Sequence, residues 1–315
     1  MRNRWFIALA AIGLHISIGS VYAWSVLTRP IMVDMGFTLS QTTWTFSLAI
    51  LMLGLSAGFL GSFAEKIGPK KSGLLAMLFW VTGLFGTAYA LSIHNLTLLY
   101  LFYGIIGGIG LGIGYITPVS TLVKYFPNRP GFATGLAIMG FGFASLIAGP
   151  LMQYLVAQVG LIDNFIILGV IYLVIMGASS LYLKAPQQKH PTRTTKDKST
   201  MYVHNHGMLA NDAMKTWQFG ALWWVFFINI TCGIGLLSLA SPMAQEAIGM
   251  TPAAAASLVG IIGIFNGGGR IAWSTISDYL GRAQTYILFF IIEVVAFYLL
   301  AQTNSALTFQ ILILL

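Results

Sequence analysis

The stretch GSFAEKIGPKK at 61–71 recurs in shortened form as SDYLGR at 277–282. A shift of 213 positions (278 − 65 = 213) aligns the two turns, and it also aligns the loop that precedes each of them. The aligned pairs are Gly36 with Gly249, Thr38 with Thr251, Glu65 with Asp278 and Gly68 with Gly281. Each set encloses one whole apolar segment, so the chain contains an internal repeat of a loop, a helix and the turn after it.

The residue types in these turns give them a physical role. Glycine permits a tight turn, and a nearby carboxylate can pair with a basic residue or lie at the N-terminus of a neighbouring helix. Such a contact can break and re-form, whereas an ordinary charged loop has no need to recur at the same offset. We therefore predict two conformational-switch turns, formed by Gly61, Glu65, Lys66 and Gly68 in the first and by Asp278, Gly281 and Arg282 in the second.

The segments between the turns are those of a membrane protein. Of the 315 residues, 57% are hydrophobic and only 8% are charged, whereas a soluble domain carries about 25% charged residues. Apolar runs of about 20 residues indicate spanning helices. They cover 6–28, 41–63, 72–92, 96–123, 131–158, 163–183, 218–241, 253–276 and 284–301, and a tenth begins near 305 and is cut off at 315.

One polar stretch, from Lys184 to Thr216, separates the first six apolar segments from the rest. It has many basic and few aliphatic residues, which is typical of a linker. We predict an N-terminal six-helix bundle over 1–184, a cytoplasmic linker over 185–217 and a partial second bundle over 218–315, with helices 7–9 and part of helix 10. Parallel repeats of about six helices, joined in this way, are the plan of one large class of secondary transporters.

The basic residues determine the predicted orientation. With the N-terminus in the cytoplasm, 14 of the 16 lysines and arginines lie on the cytoplasmic side (16 − 2 = 14), while Arg29 lies outside and Arg270 lies within the membrane. This bias is the positive-inside rule, and it accounts for the formal charge of +8 without a nucleic-acid partner. The first apolar run is too long for a cleaved signal peptide, so we expect a retained first helix.

Arg270 lies in the apolar run at 253–276, and an arginine at membrane depth costs roughly 2.5–3.5 kcal/mol. A partner for it could be Asp278, which is too far at about 12 Å along the helix axis, or Glu293, which the sequence leaves open. The 213-residue shift places Ala57 at the equivalent position of the first half, so the architecture does not require the charge. We interpret Arg270 as the site of an anion that the protein binds and releases.

Helical periodicity adds further candidates beside Arg270. Asn266, Trp273, Ser274 and Ser277 share one face of the eighth segment with it. A polar stripe on an otherwise apolar helix indicates a face that lines a cavity.

Aromatic residues of the first half form a second group of candidates. Tyr22 and Trp24 are two residues apart in the first segment and point to nearly opposite sides, so they cannot both line one site. Trp24 fits the aromatic belt at the membrane surface, whereas Tyr22 shares a face with His15. In the fourth segment, Tyr115 ends a glycine-lined groove, where it can donate a hydrogen bond to an anion or can simply pack.

These features resemble the major facilitator superfamily, and more closely its oxalate/formate antiporter family. The turns at 61–71 and 277–282 look like the signature loops of the superfamily. The family resemblance covers the whole chain and rests on NRWF at 3–6, GSVYAW at 19–24, GLGIGY at 110–115, YFPNR at 125–129 and FNGGGR at 265–270.

The resemblance implies an all-α membrane protein of two six-helix bundles, with about nine or ten of twelve helices present. It implies exchange of small carboxylate anions of the formate, oxalate, lactate and pyruvate class, by rocking of the two halves. It also implies that the substrate-binding residues are Arg270, Tyr22, Tyr115, Asn266 and Trp24. We expect a monomer in the plasma (inner) membrane, with the N-terminus in the cytoplasm.

One departure from the family pattern concerns a second cation. Members that hold a dicarboxylate are expected to carry a lysine in helix 11, and this chain ends in helix 10. We therefore expect a C-terminal truncation. Phe141 brings no hydroxyl to the fifth segment, and this favours a monocarboxylate over oxalate.

Two other functions stay open from the sequence. A proton-coupled monocarboxylate symporter would use Glu293, the one acid deep in a helix, as its proton carrier. A membrane sensor of the same fold would bind the carboxylate and transport nothing. An enzyme is disfavoured because the chain has no acid–base pair on one face, no structural-zinc spacing and no phosphate loop, and we expect no cofactor and no metal.

Overall fold

The computed structural model describes residues 3–127, 130–186, 210–303 and 305–314, apart from some side chains within helices. Within these residues the regular secondary structure is helical, as the sequence predicts. The long helices are α1 (Arg4–Met35), α2 (Leu39–Ile67), α3 (Pro69–Ser92), α4 (Leu96–Tyr125), α5 (Pro130–Val159), α6 (Leu161–Tyr182), α7 (Trp217–Ile248), α8 (Pro252–Leu280), α9 (Arg282–Leu300) and α10 (Ala306–Leu314).

The nine predicted spans are confirmed among the described residues. Helices α1 to α9 are each long and apolar enough to cross a membrane. Several extend beyond the predicted ends, most clearly α1, which continues to Met35, and α7, which continues to Ile248. The apolar pattern reports only the part of a helix that lies in the hydrocarbon core, and the polar turns beyond it stay helical.

Glycines at equivalent positions show the 213-residue repeat in the backbone. Gly36 and Gly249 both have φ of 69°, and Gly68 and Gly281 have φ of 83° and 93°. These values favour glycine because a Cβ atom would be strained there. The first pair ends α1 and α7, and the second pair lies in the turns α2–α3 and α8–α9.

The helix starts repeat as well. Thr38 precedes α2, and its side chain accepts a hydrogen bond from the backbone N–H of Gln41. Thr251 precedes α8 and accepts in the same way from the N–H of Ala254. Threonine in this position provides an acceptor for a backbone N–H that would otherwise lack a partner at the helix start. Both halves therefore begin their second helix with a threonine N-cap.

Two helices of the first half are irregular. Helix α1 tightens into a 3₁₀ turn over Ser20–Ala23, and α4 widens into a π-helical stretch over Tyr100–Gly107 before Pro118. Irregular turns inside helices are frequent at functional sites. The 3₁₀ turn contains Tyr22 and therefore determines where that side chain points.

Around α1, the first half packs as a bundle. Helix α1 contacts α4, α5 and α6, while α3 contacts α4 and α6, and α2 contacts α4. The neighbour of α8 with the most extensive contact is α5. This arrangement brings the helix with Arg270 against a helix of the first half.

The chain divides into two compact units, Met1–Ala185 with Leu237–Leu315, and Pro186–Leu236. In the second unit the described residues form a one-turn helix, Ala210–Ala213, and the first part of α7, where Trp223 stacks on Phe227 at 5.1 Å. Most of the predicted linker falls on 187–209, outside the described residues. The bundle and linker boundaries therefore stay predictions.

Candidate functional site

Arg270 lies on α8 with a half-buried side chain. Its Nε donates a hydrogen bond of 3.1 Å to Oδ1 of Asn266, one helical turn earlier. The two residues share a face, as their spacing predicts. The amide of Asn266 is neutral, so this bond orients the guanidinium without cancelling its charge.

The ion pairs among the described side chains lie elsewhere. They join Lys124 to Glu65 and Lys215 to Asp212. Glu293, the partner that the sequence leaves open for Arg270, lies partly buried on α9. The side chain of Asp278 is outside the described residues. Whether either carboxylate pairs with Arg270 therefore stays as open as the sequence leaves it.

Aromatic residues from three helices of the first half meet near this charge. Tyr22 of α1 lies near the Arg270 guanidinium. Its ring meets Phe141 of α5 edge-on, with centroids 4.7 Å apart. Tyr115 of α4 meets Phe141 in the same way at 5.4 Å. Phe141 is therefore wedged between the two predicted tyrosines, in the edge-to-face geometry that aromatic pairs prefer.

His15 lies behind this cluster and is fully buried. Its Nδ1 contacts the carbonyl oxygen of Ala137 on α5, and its Nε2 lies 3.0 Å from the carbonyl oxygen of Tyr115 on α4. Its ring meets Phe141 edge-on at 6.0 Å. One α1 side chain thus connects the two helices that carry Tyr115 and Phe141.

The backbones of α5 and α8 approach closely beside the same residues. A Cβ atom added to Gly142 would lie 2.7 Å from Cα of Gly267 and 3.0 Å from Oδ1 of Asn266. Glycine is required here because real Cβ contacts are longer than this. The crossing places Asn266 next to Gly142, the residue after Phe141, so residues from the two halves form one cluster. We call it the Arg270 cluster, and its members are Arg270, Asn266, Tyr22, Tyr115, Phe141 and His15.

Trp24 does not join the Arg270 cluster. Its side chain is 1% exposed, and its ring packs on Tyr103 at 4.3 Å and on Phe165 at 6.5 Å, inside the first bundle. The interfacial interpretation of Trp24 is wrong, because helices α4 and α6 cover a position that the sequence alone places near a helix end. The predicted opposition of Tyr22 and Trp24 matches these separate surroundings.

The residues of the polar face predicted on α8 do not all have the same surroundings in the structure. Trp273 packs edge-on against Phe289 of α9 at 4.8 Å, so it faces α9. Ser277 is buried, and the side chain of Ser274 is outside the described residues. Of that face, Asn266 and Arg270 are the residues that the structure brings to the aromatic side chains of the first half.

The first predicted switch turn holds an ion pair. Lys124 Nζ at the end of α4 lies 3.3 Å from Oε1 of Glu65 at the end of α2, and both side chains are about half exposed, at 49% and 48%. A Cβ added to Gly61 would approach Ile116 Cδ1 to 2.9 Å, so α2 and α4 are also close there. Lys66 is exposed.

The second switch turn is described only in its backbone. Gly281 has the left-handed φ given above, and the side chains of Asp278 and Arg282 are outside the described residues. The switch role of both turns stays a prediction.

Two residues of the cluster are missed or undervalued by the sequence reasoning. From sequence, Phe141 is informative only for the hydroxyl that it lacks, whereas in the structure it lies at the centre of the aromatic contacts with an exposure of 1%. His15 is recognised from sequence only as sharing a face with Tyr22. A signal was available for His15, since a histidine inside an apolar span requires partners for its ring nitrogens.

The comparisons with known proteins agree with this architecture. The profile of the Major Facilitator Superfamily matches residues 6–315, nearly the whole chain. The chain belongs to the major facilitator superfamily. Among curated relatives, it is 30% identical over 295 residues to an uncharacterised MFS-type transporter, YhjX, of Escherichia coli (strain K12), covering 93% of this chain and 71% of that protein.

Two further matches have informative names. The oxalate:formate antiporter of Oxalobacter formigenes is 26% identical over 294 residues, covering 93% of this chain and 68% of the antiporter. Among solved structures, a bacterial homologue of the human lysosomal transporter Spinster matches with a TM-score of 0.68 at 16% identity, covering 100% of this chain and 71% of that one. The structural likeness shows the fold.

Superfamily membership establishes the general nature of the protein. It is a multi-pass membrane transporter of the major facilitator fold. Proteins of this superfamily are transporters and not enzymes, which agrees with the expectation from sequence.

Proposed function

We propose that the protein is a secondary carrier that exchanges small carboxylate anions of the formate class, as a member of the oxalate/formate antiporter family. The main support is the charge of Arg270, which is half-buried in a spanning helix and is oriented by the neutral amide of Asn266. A positive charge kept at membrane depth marks a substrate or ion pathway. The similarity to the oxalate:formate antiporter of Oxalobacter formigenes suggests the chemical class.

Each residue of the site has a role that follows from its chemistry. Arg270 supplies the positive charge and a planar donor face that suits a carboxylate. Tyr22 and Tyr115 supply hydroxyl donors from the first half, and Asn266 orients the guanidinium. Phe141 presents only carbon atoms between the tyrosines, which supports a monocarboxylate over a dicarboxylate such as oxalate.

The position of the site supports alternating access. Arg270 and Asn266 come from the second half, and the aromatic residues come from the first, so an anion bound among them contacts both halves. Rocking of two repeats about a midplane site is the usual mechanism of such carriers. In this structure α5 and α8 are close from Gly142 to Gly149, and Arg29 donates a 2.9 Å hydrogen bond to Gln245. Both contacts support a conformation in which the two halves meet on the side of the membrane where α1 has its C-terminal end.

Exchange is favoured over net flux because reorienting the carrier with an empty site is energetically unfavourable. Without a bound anion, Arg270 would pass through the membrane interior as an unpaired charge, and desolvating such a charge is expensive. A carrier that reorients only when loaded exchanges one anion for another.

The same proposal includes five further predictions from the sequence. These are the plasma membrane location, the cytoplasmic N-terminus, the monomeric state, the boundaries of the two bundles and the switch role of the two turns.

The direct test is uptake of radiolabelled formate into proteoliposomes preloaded with unlabelled formate, together with equilibrium formate binding. Arg270→Gln should lower both by about 100-fold or more, the loss that follows removal of one partner of a charged contact. Arg29→Gln is the control, because it removes an arginine of α1 that is hydrogen-bonded to Gln245 and is not part of the Arg270 cluster, and it should change binding by less than about threefold. Near-normal uptake by Arg270→Gln in a folded protein would contradict the proposal.

The same vesicles separate the alternatives. A proton symporter would accumulate formate under a pH gradient with no counter-anion inside, and it would lose this in Glu293→Gln if Glu293 carried the proton. A sensor would bind formate and show no uptake under any gradient. Exchange predicts uptake that depends on internal formate.

A further inference from the structure

His15 makes an unusual pair of contacts for a buried histidine. Its exposed fraction is zero, and each ring nitrogen faces a backbone carbonyl oxygen, Nδ1 that of Ala137 and Nε2 that of Tyr115 at 3.0 Å. A carbonyl oxygen can only accept a hydrogen bond. Both contacts are therefore favourable only when both ring nitrogens carry a hydrogen.

The protonation states of imidazole differ in this respect. The neutral ring has one N–H donor and one nitrogen lone pair, whereas the imidazolium has two N–H donors. In the neutral state, one lone pair of His15 faces the lone pairs of a carbonyl oxygen whichever tautomer is present. The geometry around the ring thus matches the protonated form.

Two effects oppose a proton on His15 while the site is empty. Burial disfavours any charged group. The positive charge of Arg270 is also nearby, because its hydrogen-bond partner Asn266 lies against Gly142, the residue after Phe141, and Phe141 meets the His15 ring. Like charges repel strongly where water is excluded. An anion bound at Arg270 would remove the second effect.

Besides this bound anion, the other ionisable side chains on the helices around His15 are possible sources of a negative charge beside the ring. Tyr115 of α4 contacts the His15 ring at 5.5 Å between centroids. Helix α5 contains Tyr154 as its only ionisable side chain, and this side chain is 62% exposed. On α6, the side chain nearest to Gly13 of α1, two residues before His15, is that of Ser179, which is not ionisable. The remaining ionisable residues of these helices are Arg4, Tyr22, Arg29 and Asp34 on α1, Tyr100, Tyr103, Lys124 and Tyr125 on α4, and Asp163, Tyr172 and Tyr182 on α6.

We propose that His15 takes up one proton when a carboxylate binds at Arg270, and releases it when the carboxylate leaves. The inference rests on the proposed carboxylate site and adds the chemical identity of a second, coupled ligand. The proton comes from hydronium on the side from which the anion enters. One O–H bond of hydronium breaks, an N–H bond forms at the ring nitrogen that lacks one, and a water molecule is left behind. Anion and proton then stabilise each other, and this coupling is reciprocal.

Reciprocity gives the sign of the pH dependence. If a proton binds with the anion, formate affinity is highest at low pH and falls by up to about tenfold per pH unit where the proton must be taken up. In the opposite experiment, adding formate to protein in weakly buffered solution at neutral pH should raise the pH, by about one proton removed per formate bound. Both quantities are measurable on the purified full chain.

The decisive variant is His15→Gln. Its side-chain amide can donate hydrogen bonds towards carbonyl oxygens and does not titrate. This variant should still bind formate, should take up no proton, and should have an affinity that does not change from about pH 5 to 8. His94→Asn is the matched control, because His94 lies in the α3–α4 connection with φ of 54°, a value that asparagine tolerates, and its proton uptake should equal that of the unmodified protein.

The outcomes separate this inference from the carboxylate site itself. Formate binding without proton uptake in the unmodified protein would overturn the inference and leave the proposed function intact. Proton uptake that persists in His15→Gln would assign the proton to another group and overturn it as well. A protein that binds no formate at any pH would contradict the proposed function instead. If His15→Gln does not fold, His15→Asn in the same assay decides the question.

Discussion

Arg270 and Ala57 occupy equivalent positions in the two halves of the protein, yet only one of them is charged. The same 213-residue shift pairs Asn266 with Leu53 and Tyr22 with Gly235. The repeated architecture, by contrast, is symmetric: both halves use a left-handed glycine, a threonine cap and a second left-handed glycine at equivalent places. The helix-turn architecture is therefore present in both halves, whereas the polar site residues have no polar equivalents in the other half.

This difference indicates which residues the fold needs. A feature that recurs at the same offset serves the helix-turn geometry, whereas a feature without a counterpart needs another explanation. Arg270, Asn266 and Tyr22 lack polar counterparts, and they are the residues that the tertiary structure brings together. The predictions that follow test this separation between the repeated fold and the unrepeated site.

The largest effect is expected when the charge is moved to its equivalent position. The double variant Ala57→Arg with Arg270→Ala keeps the composition and restores an arginine to the repeat, but Leu53 cannot orient it. Formate exchange in proteoliposomes should remain at background, a loss of about 100-fold or more. The single variant Ala57→Arg shows whether α2 tolerates the charge. Recovery of more than about one tenth of the activity in the double variant would mean that the repeat, and not the Arg270 cluster, defines the site.

A somewhat smaller effect is expected at Asn266. Asn266→Asp replaces the neutral amide with a carboxylate one turn from Arg270, and this internal anion competes with the substrate. Formate binding should weaken by about 10- to 100-fold, and lowering the pH should restore part of it, because the protonated aspartic acid no longer neutralises Arg270.

The control for Asn266 comes from the repeat itself. Asn266→Leu introduces the residue found at the equivalent position 53 and removes only the orienting hydrogen bond. It should weaken formate binding by about 3- to 10-fold, since one such bond contributes about 0.5–1.5 kcal/mol. If Leu were worse than Asp, the neutrality of the amide would not be its important property.

The smallest effect on binding, but a clear one on stability, is expected at the crossing of α5 and α8. Gly142→Ala should destabilise the protein by about 1–3 kcal/mol, because its Cβ meets the backbone of Gly267 at 2.7 Å and neither can move aside easily. Gly135→Ala on the same helix, with no atom within 4 Å, should stabilise it by up to about 1 kcal/mol. Thermal unfolding in detergent measures both, and equal melting temperatures would contradict the close crossing.

Much of the fold could be predicted from sequence because its signals are local. Nine apolar runs predict nine spans, since a bilayer requires about 20 apolar residues per helix. The turns at Gly68 and Gly281 could be predicted because glycine has a conformational freedom that other residues lack. Helix ends were predicted less well, as the extension of α7 to Ile248 shows, because polar helical turns look like loops in sequence.

The candidate site was predictable only in part. Asn266 and Arg270 could be paired from sequence, because residues one turn apart on a helix always share a face. Trp24 could not be placed, because its burial depends on Tyr103 and Phe165 from other helices. Phe141 carries no polar group, so its central position has no sequence signal.

By itself, the sequence determined the membrane class, the spans, the repeat and the one arginine whose cost requires a use, because each follows from hydrophobicity or from spacing within one helix. The tertiary structure alone decided which side chains surround that arginine. Tyr22, Phe141 and Arg270 are separated by more than 100 residues from one another, and only the packing of α1, α5 and α8 brings them into one cluster. Contacts between helices depend on which faces meet, and no local pattern contains that information.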